Sequence, residues 1–129
     1  MTAHVSSRQV VSSFLAAREN ATAHAAELLD EAFTFESPLM RIGDRDAYIR
    51  NHRAFGLLVN GMTMISELYG ADEAMLLYDL ETTTPAGVQR TAEHIRIAGG
   101  KVASILLLFD TAPWRPIFDA SGPDALGRL

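Results

Sequence analysis

Glu93 is the residue whose surroundings in the sequence point most directly to chemistry. It lies in Gln89-Arg90-Thr91-Ala92-Glu93-His94-Ile95, an alternating run that sets Glu93 on the same strand face as Thr91 and Ile95. A carboxyl on an inward face must be paired, be protonated or look into a polar cavity. The chemistry open to it is general acid/base transfer, with Tyr78 on the facing strand either orienting the carboxyl or donating to a substrate oxygen. The structural alternative is a hydrogen bond from Tyr78 or a helix to Glu93. His52 is the second candidate: Tyr48, His52 and Phe55 stand at i, i+4 and i+7 and share one helix face, and imidazole titrates near neutral pH. If Ile49 marks the inward face instead, His52 falls at its edge. Ser37 can hydrogen-bond a ligand, but no base beside it in the sequence makes it a nucleophile.

The remaining polar groups form weaker patterns. His94 is expected on an outer face beside Arg96, and His24 with Glu27 lacks both a third ligand and the HExxH spacing of a zinc site. Arg41, near the end of a strand, reads either as a solvated loop residue or as a contact for an anion at a pocket mouth. No phosphate-binding glycine loop or dinucleotide fingerprint occurs, and Gly99-Gly100 reads as a hairpin turn. No metal or cofactor is expected.

The elements that must position these groups follow from periodicity. Ser6 and Ser7 offer N-caps to a helix over 7–18, with Val10, Val11, Phe14 and Leu15 on one side and Arg8, Gln9, Ser12, Ser13 and Arg18 mostly on the other. An alanine-rich helix is expected over 21–29, followed by a strand around Phe33-Thr34-Phe35-Glu36-Ser37 that stops at Pro38. Asp44 caps a third helix over 44–58. Four strands then follow, over 62–69, 74–83, 88–97 and 102–110, and their short connections require antiparallel hairpins. The predicted order is α-α-β-α-β-β-β-β. Residues 111–129, with Pro113, Pro116, Gly122 and Pro123, are expected to be irregular, with Trp114 and Phe118 packed down on a surface.

Thr84-Pro85-Ala86-Gly87 suits a type I turn, and that turn would set Tyr78 opposite Glu93 and Glu81 opposite Arg90. The three-residue alternative would set Tyr78 beside His94 and mix apolar with polar faces, so the first register is expected. It gathers Leu76, Tyr78, Leu80, Thr91, Glu93 and Ile95 on one face. The last strand is apolar on both faces, with Ile105, Leu107 and Phe109 on one and Val102, Leu106 and Leu108 on the other. The second set needs a cover, which is expected to be a second copy of the chain.

With 129 residues the chain fits a single domain, its core over about 7–110. Hydrophobic residues at 48% and charged residues at 21% exclude disorder and fibrous repeats. A net charge of −5 with scattered basic residues argues against nucleic acid and anionic membranes as partners. The absence of cysteine excludes disulfides and thiolate chemistry, and Met1-Thr2-Ala3-His4 lacks the features of a signal peptide, so a cytosolic protein is expected.

The order of elements and several strings resemble the NTF2-like superfamily, the cone-shaped α+β fold of ketosteroid isomerase-like proteins and SnoaL-like polyketide cyclases. The strings are Phe35-Glu36-Ser37-Pro38, Gly43-Asp44-Arg45-Asp46-Ala47-Tyr48-Ile49, Glu93-His94-Ile95-Arg96-Ile97, and Gly99-Gly100-Lys101-Val102 through Phe109-Asp110. The resemblance implies three N-terminal helices packed on a curved, mainly antiparallel sheet, an apolar pocket between them, and dimerisation through the sheet. In isomerase-like members the residue before the proline of the first strand is a proton-shuttling Asp, where this chain has Ser37. The position of their helix-one tyrosine donor is Phe14. A strand carboxylic acid survives as Glu93, and SnoaL-like cyclases use an acid of that strand for an intramolecular aldol closure. The resemblance therefore implies a small hydrophobic, oxygenated ligand and, for an enzyme, a cofactor-independent isomerase or cyclase with Glu93 as acid/base, aided by Tyr78 and His52. Phe14, Ser37, Tyr48, Phe55, Leu76, Leu80 and Leu107 are the expected lining. Glu93→Gln is expected to remove turnover while preserving the fold.

Two other readings stand beside it. A non-catalytic binding or interaction module would have a filled cone, whereas a ligand site would have a cavity of about a few hundred Å³ with Glu93 in its wall. An epoxide-hydrolase-like member would need a cooperating Asp/Arg/Asp set, and Asp79, Arg90 and Asp110 are expected to face away from the cone.

Overall fold

Helix α1, Ser7–Glu19, begins at a capping box in which the Ser6 side chain accepts from the Gln9 backbone and the Gln9 side chain accepts from the Ser6 backbone. Its buried residues are Ser7, Val10, Val11, Phe14 and Arg18, so the inward stripe continues to a charged residue at its end. The computed structural model of the chain describes residues 6–20 and 24–121. Of the helix expected over 21–29, a single 3-10 turn forms at Ala25–Leu28, and residues 21–23 lie outside the described residues. Strand β1, Leu29–Glu36, starts four residues before the alternating phenylalanines begin, and a two-residue strand β2, Arg41–Ile42, pairs back on it. Helix α2, Arg45–Gly56, is capped by the Asp44 side chain accepting from the Ala47 backbone, as the sequence predicts.

Four strands follow: β3 Val59–Tyr69, β4 Glu73–Thr82, β5 Val88–Ala98 and β6 Lys101–Phe109. The six-stranded sheet has the order β2-β1-β6-β5-β4-β3, antiparallel throughout except where β1 lies parallel to β6. Gly99 and Gly100 both have positive φ, 59° and 79°, which is what a tight two-residue turn between Ala98 and Lys101 requires. Register shifts within β1–β6, β3–β4 and β5–β6 bend the sheet, and curvature of this kind gives it a concave face for the helices.

Three expectations change. The β4–β5 register is two residues from the expected one: Tyr78 faces Thr91, Glu93 faces Leu76, and Arg90 faces Asp79 rather than Glu81. The turn itself forms, with the Gly87 N–H donating to Thr84 O at 3.0 Å, but the ladder closes outside it, at Glu81 and Val88. A two-residue slip leaves every side chain on its face, so amphipathy could not detect it. Second, the register shift next to Arg96 and Ile97 turns Val102 inward, where it is fully buried in the core with Ile105 instead of standing on the outer face. Third, the segment after β6 forms regular structure as far as Ser121, while 122–129 lie outside the described residues: a 3-10 turn at Ala112–Trp114 leads into helix α3, Arg115–Ser121, with Pro116 in its first turn, where a missing N–H costs nothing. The third helix therefore lies after the sheet, not before it. No helix among the described residues is long and apolar enough to cross a membrane.

Candidate functional site

Helix α1 and strand β5 bring two opposite charges together under cover. The Arg18 Nη1 donates to Glu93 Oε2 at 2.7 Å, and Arg18 Nη2 reaches Glu93 Oε1 at 3.4 Å. Their side chains are 5% and 1% exposed. Tyr78 Oη donates to Glu93 Oε1 at 2.8 Å from the neighbouring strand, and Arg18 Nη1 also donates to Tyr48 Oη of α2 at 2.9 Å. Arg18 Nε adds a bond to Glu19 Oε1 at 3.2 Å. No buried side-chain nitrogen or oxygen among the described residues is left without a partner.

Electrostatics settles which protons stay. Burial alone would raise the Glu93 carboxyl, but the Arg18 charge and the bonds from Arg18 and Tyr78 outweigh it and hold the group below its ordinary range. Glu93 is thus an ion-paired carboxylate. Burial likewise works against the Arg18 cation, and Glu93 with Tyr48 reverses that, so Arg18 stays charged. Burial pushes the Tyr48 hydroxyl up to about 12 against the pull of Arg18, and burial with the Glu93 charge pushes Tyr78 well above the ordinary tyrosine value. Both phenols keep their protons. Burial also lowers His52, which keeps its ring neutral near pH 7, although the Glu19 carboxylate 3.7 Å away pulls the other way.

This cluster forms one end of a cavity of about 100 Å³. Eight of the ten residues expected at the site line it: Glu93, Tyr78, His52, Ser37, Tyr48, Phe55, Leu80 and Leu107. The choice left open on α2 resolves without conflict, because Tyr48, His52 and Phe55 line the cavity while Ile49 is buried beside them. Phe14 and Leu76 do not reach it. Phe14 is fully buried beneath Arg18, whose guanidinium lies 5.2 Å from its ring centre, and Leu76 is core opposite Glu93. The volume is smaller than the few hundred Å³ expected, since aromatic side chains fill much of the cone.

Several lining residues escaped the sequence reading, among them Arg18, Asn51, Gln89, Phe109 and Trp114. For Arg18 a signal existed: Ser7, Val11, Phe14 and Arg18 fall at intervals of four, three and four, one continuous helix face. Arg41 pairs with Glu36 at 2.8 Å and is 83% exposed, away from the cavity. Asp79 and Arg90 are joined by two bonds of 3.0 and 3.1 Å on the other face of the sheet, and Asp110 accepts from the Ala112 backbone, so this trio does not assemble around the cavity.

No protein-family model matches the sequence, and no curated protein matches it. Solved structures do. A protein from Kribbella flavida superposes with a TM-score of 0.74 over 86% of this chain and 92% of its own, at 23% identity. An NTF2-like protein of unknown function from Cytophaga hutchinsonii gives 0.69 over 92% and 99%, at 20% identity. A steroid delta-isomerase from Pseudomonas aeruginosa gives 0.70 over 94% and 85%, at 12% identity. At these identities the likeness concerns architecture rather than activity, and on that architecture, a curved open sheet with helices against its concave face, the chain has the NTF2-like fold.

Proposed function

We propose that the cavity binds a small hydrophobic molecule carrying one oxygen acceptor, and that this oxygen sits against the Tyr48 hydroxyl. The observation that carries the reading is the Arg18–Tyr48 hydrogen bond: Tyr48 Oη accepts from the guanidinium at 2.9 Å, which leaves its own proton for another acceptor. A cation behind a phenol strengthens it as a donor. The walls are otherwise largely apolar, and Arg18 with Glu93 is neutral as a pair, so an uncharged ligand such as a ketone suits the site better than a carboxylate. At about 100 Å³ the volume is two-thirds of the ~150 Å³ of a cavity that accommodates benzene, which limits the ligand to about one small ring. In this reading Glu93 positions Arg18 and Tyr78 instead of exchanging its own proton.

Calorimetric titration with cyclohexenone tests it. The wild-type protein binds with one-to-one saturation, and Tyr48→Phe weakens binding about fivefold, the worth of a hydrogen bond of ~1 kcal/mol. Absence of saturable binding, or equal affinity in Tyr48→Phe, overturns the reading.

Turnover of the isomerase or cyclase type is a second reading, favoured by one observation: His52 lines the same cavity as the Tyr48 donor, their ring centres 6.0 Å apart. A base and an electrophile would then face one ligand, with Glu93 able to act as acid/base once its bond to Arg18 opens. Deuterium uptake next to the carbonyl of bound cyclohexenone, lost in His52→Asn, supports this reading; uptake no faster than in buffer removes it.

The expected homodimer is proposed for the convex side of the sheet. Two cross-strand rows run there, Leu68–Met75–His94–Leu106 and Ser66–Leu77–Ala92–Leu108. On this face Asp79 pairs with Arg90 and Glu73 with His94, Arg96 and Glu81 stand toward its two ends, and the rows between them leave apolar strips that a second copy can cover by two-fold symmetry. The cysteine-free composition suits a cytosolic setting.

A further inference from the structure

Trp114 is 3% exposed although it comes from the segment after the last strand. Its indole Nε1 donates to Gln89 Oε1 at 3.0 Å, and its ring centre lies 5.9 Å from Phe55 and 6.4 Å from Phe109. Gln89 is itself buried on the concave face of β5, a costly place for an amide unless every group is satisfied. Its amide nitrogen donates to Ala86 O at 3.0 Å and Val88 O at 3.2 Å, so its oxygen is turned to accept the indole proton. The two residues answer each other: a buried glutamine that needs a donor and a buried tryptophan that needs an acceptor.

Their place in the cavity gives the pair a consequence. Phe55 lies seven residues beyond Tyr48 on α2, about 10 Å along the axis. Gln89 lies four residues before Glu93 on β5, about 13 Å along the strand. The cavity therefore has a polar end, at Arg18, Tyr48, Tyr78 and Glu93, and an aromatic end, at Phe55, Phe109 and Trp114. The first end holds an oxygen and the second meets whatever lies farthest from it. Phe55 and Phe109 belong to elements that build the cone, whereas Trp114 is supplied from outside it.

Resting on the binding reading above, we infer that Trp114 is the end wall that sets the length of ligand the cavity accepts, and that Gln89 is the latch holding this wall in place. Ligands with one ring between oxygen and wall fit; a second fused ring meets the indole. Removing the indole opens a space of roughly one bicyclic ring system, continuous with the existing cavity.

The experiment compares cyclohexenone with its fused two-ring analogue, octalone, by calorimetry on wild type, Trp114→Ala and Trp114→Phe. The wild type prefers cyclohexenone. In Trp114→Ala octalone binds about tenfold tighter or more, as expected from newly buried methylenes, while cyclohexenone changes less than about threefold. Trp114→Phe keeps aromatic contact with Phe55 and Phe109 and shows a smaller gain for octalone, and this variant decides the matter if Trp114→Ala does not fold. An unchanged ratio of the two affinities in the folded variants overturns the wall, while failure of the wild type to bind cyclohexenone overturns the binding reading instead. The latch has its own readout, because the chain has one tryptophan and so one indole N–H signal in a nitrogen-15 spectrum. That proton exchanges slowly with deuterated water in the wild type and quickly in Gln89→Leu; rapid exchange in the folded wild type overturns the latch whatever the ligands do.

Discussion

Removing the charge from Glu93 leaves the Arg18 guanidinium, 5% exposed, with the half-exposed Glu19 carboxylate at 3.2 Å as its remaining counter-ion. Breaking a buried pair from one side costs up to ~3–5 kcal/mol, a loss that Glu19 reduces, whereas removing both partners can be nearly neutral. Glu93→Gln is therefore expected to lower the urea midpoint severely, and Arg18→Met with Glu93→Gln to recover most of the loss. This departs from the expectation that Glu93→Gln preserves the fold, which rested on a carboxyl without a cation beside it. Acid should act on the same cluster. His52 has its affinity for protons lowered by burial, so the unfolded chain takes up a proton as pH falls through 6.5 and the folded chain resists, which makes stability decline over that step. Glu93, also held low, adds a further loss as pH falls below 4.5. The urea midpoint is expected to drop between pH 7.5 and 5.5, and His52→Asn to reduce that drop while keeping the loss below 4.5. Glu93 as the buried acid was legible because period-two alternation reports burial directly. Arg18 continues the buried helix face by its spacing, but a charged residue in the last turn of an amphipathic helix normally marks its exposed end, so the spacing signal prevails only once a partner on another element is known.

At the level of elements, sequence carried parity and turn chemistry farther than register. Gly99-Gly100 announced its turn, Asp44 its cap, and Tyr78, Thr91 and Glu93 their common face. What escaped depended on long-range geometry: the two-residue strand β2, the slip in β4–β5, and the shift that turns Val102 inward. Each alters pairing without altering composition. Gly87 tests the hairpin. It sits at φ 66°, and Thr82 Oγ1 donates to its carbonyl at 2.7 Å. A side chain there meets open space, so any penalty comes from the backbone alone. Gly87→Ala should cost ~1–2 kcal/mol, while Gly56→Ala, which also meets open space but lies at the end of α2, should be neutral or mildly stabilising. Thermal melts of the two variants check both signs.

For the whole molecule, the sheet divides apolar surface between two uses. Its concave face closes on α1, α2 and the Trp114 segment, and its convex face keeps Leu68, Met75 and Leu108 at 65%, 42% and 54% exposure. The sequence foretold the second surface, because β6 is apolar on both sides. It showed the first closure only in part: Trp114 packs down as expected, at 3% exposure, but Pro113 and Pro116 read as breakers when Pro116 in fact occupies the first turn of α3. If a second copy covers the convex face, Leu108→Glu places a charge in one of its apolar rows and light scattering should report a monomer. Leu57→Glu, also at an exposed leucine but outside those rows, should leave the dimer mass unchanged. A monomeric wild type, or a dimer undisturbed by Leu108→Glu, would remove the second copy from this surface.

The central claim is that Tyr48, polarised by Arg18, holds a ligand oxygen at the buried end of an apolar cavity. It is tested most directly by the carbon-13 shift of carbonyl-labelled cyclohexenone bound to the protein. A strong hydrogen bond moves that resonance downfield and an apolar environment moves it upfield. The bound carbonyl is predicted to resonate at or downfield of its position in water, and to move upfield in Tyr48→Phe. A bound resonance at the upfield position typical of an apolar solvent, unchanged in Tyr48→Phe, would contradict it.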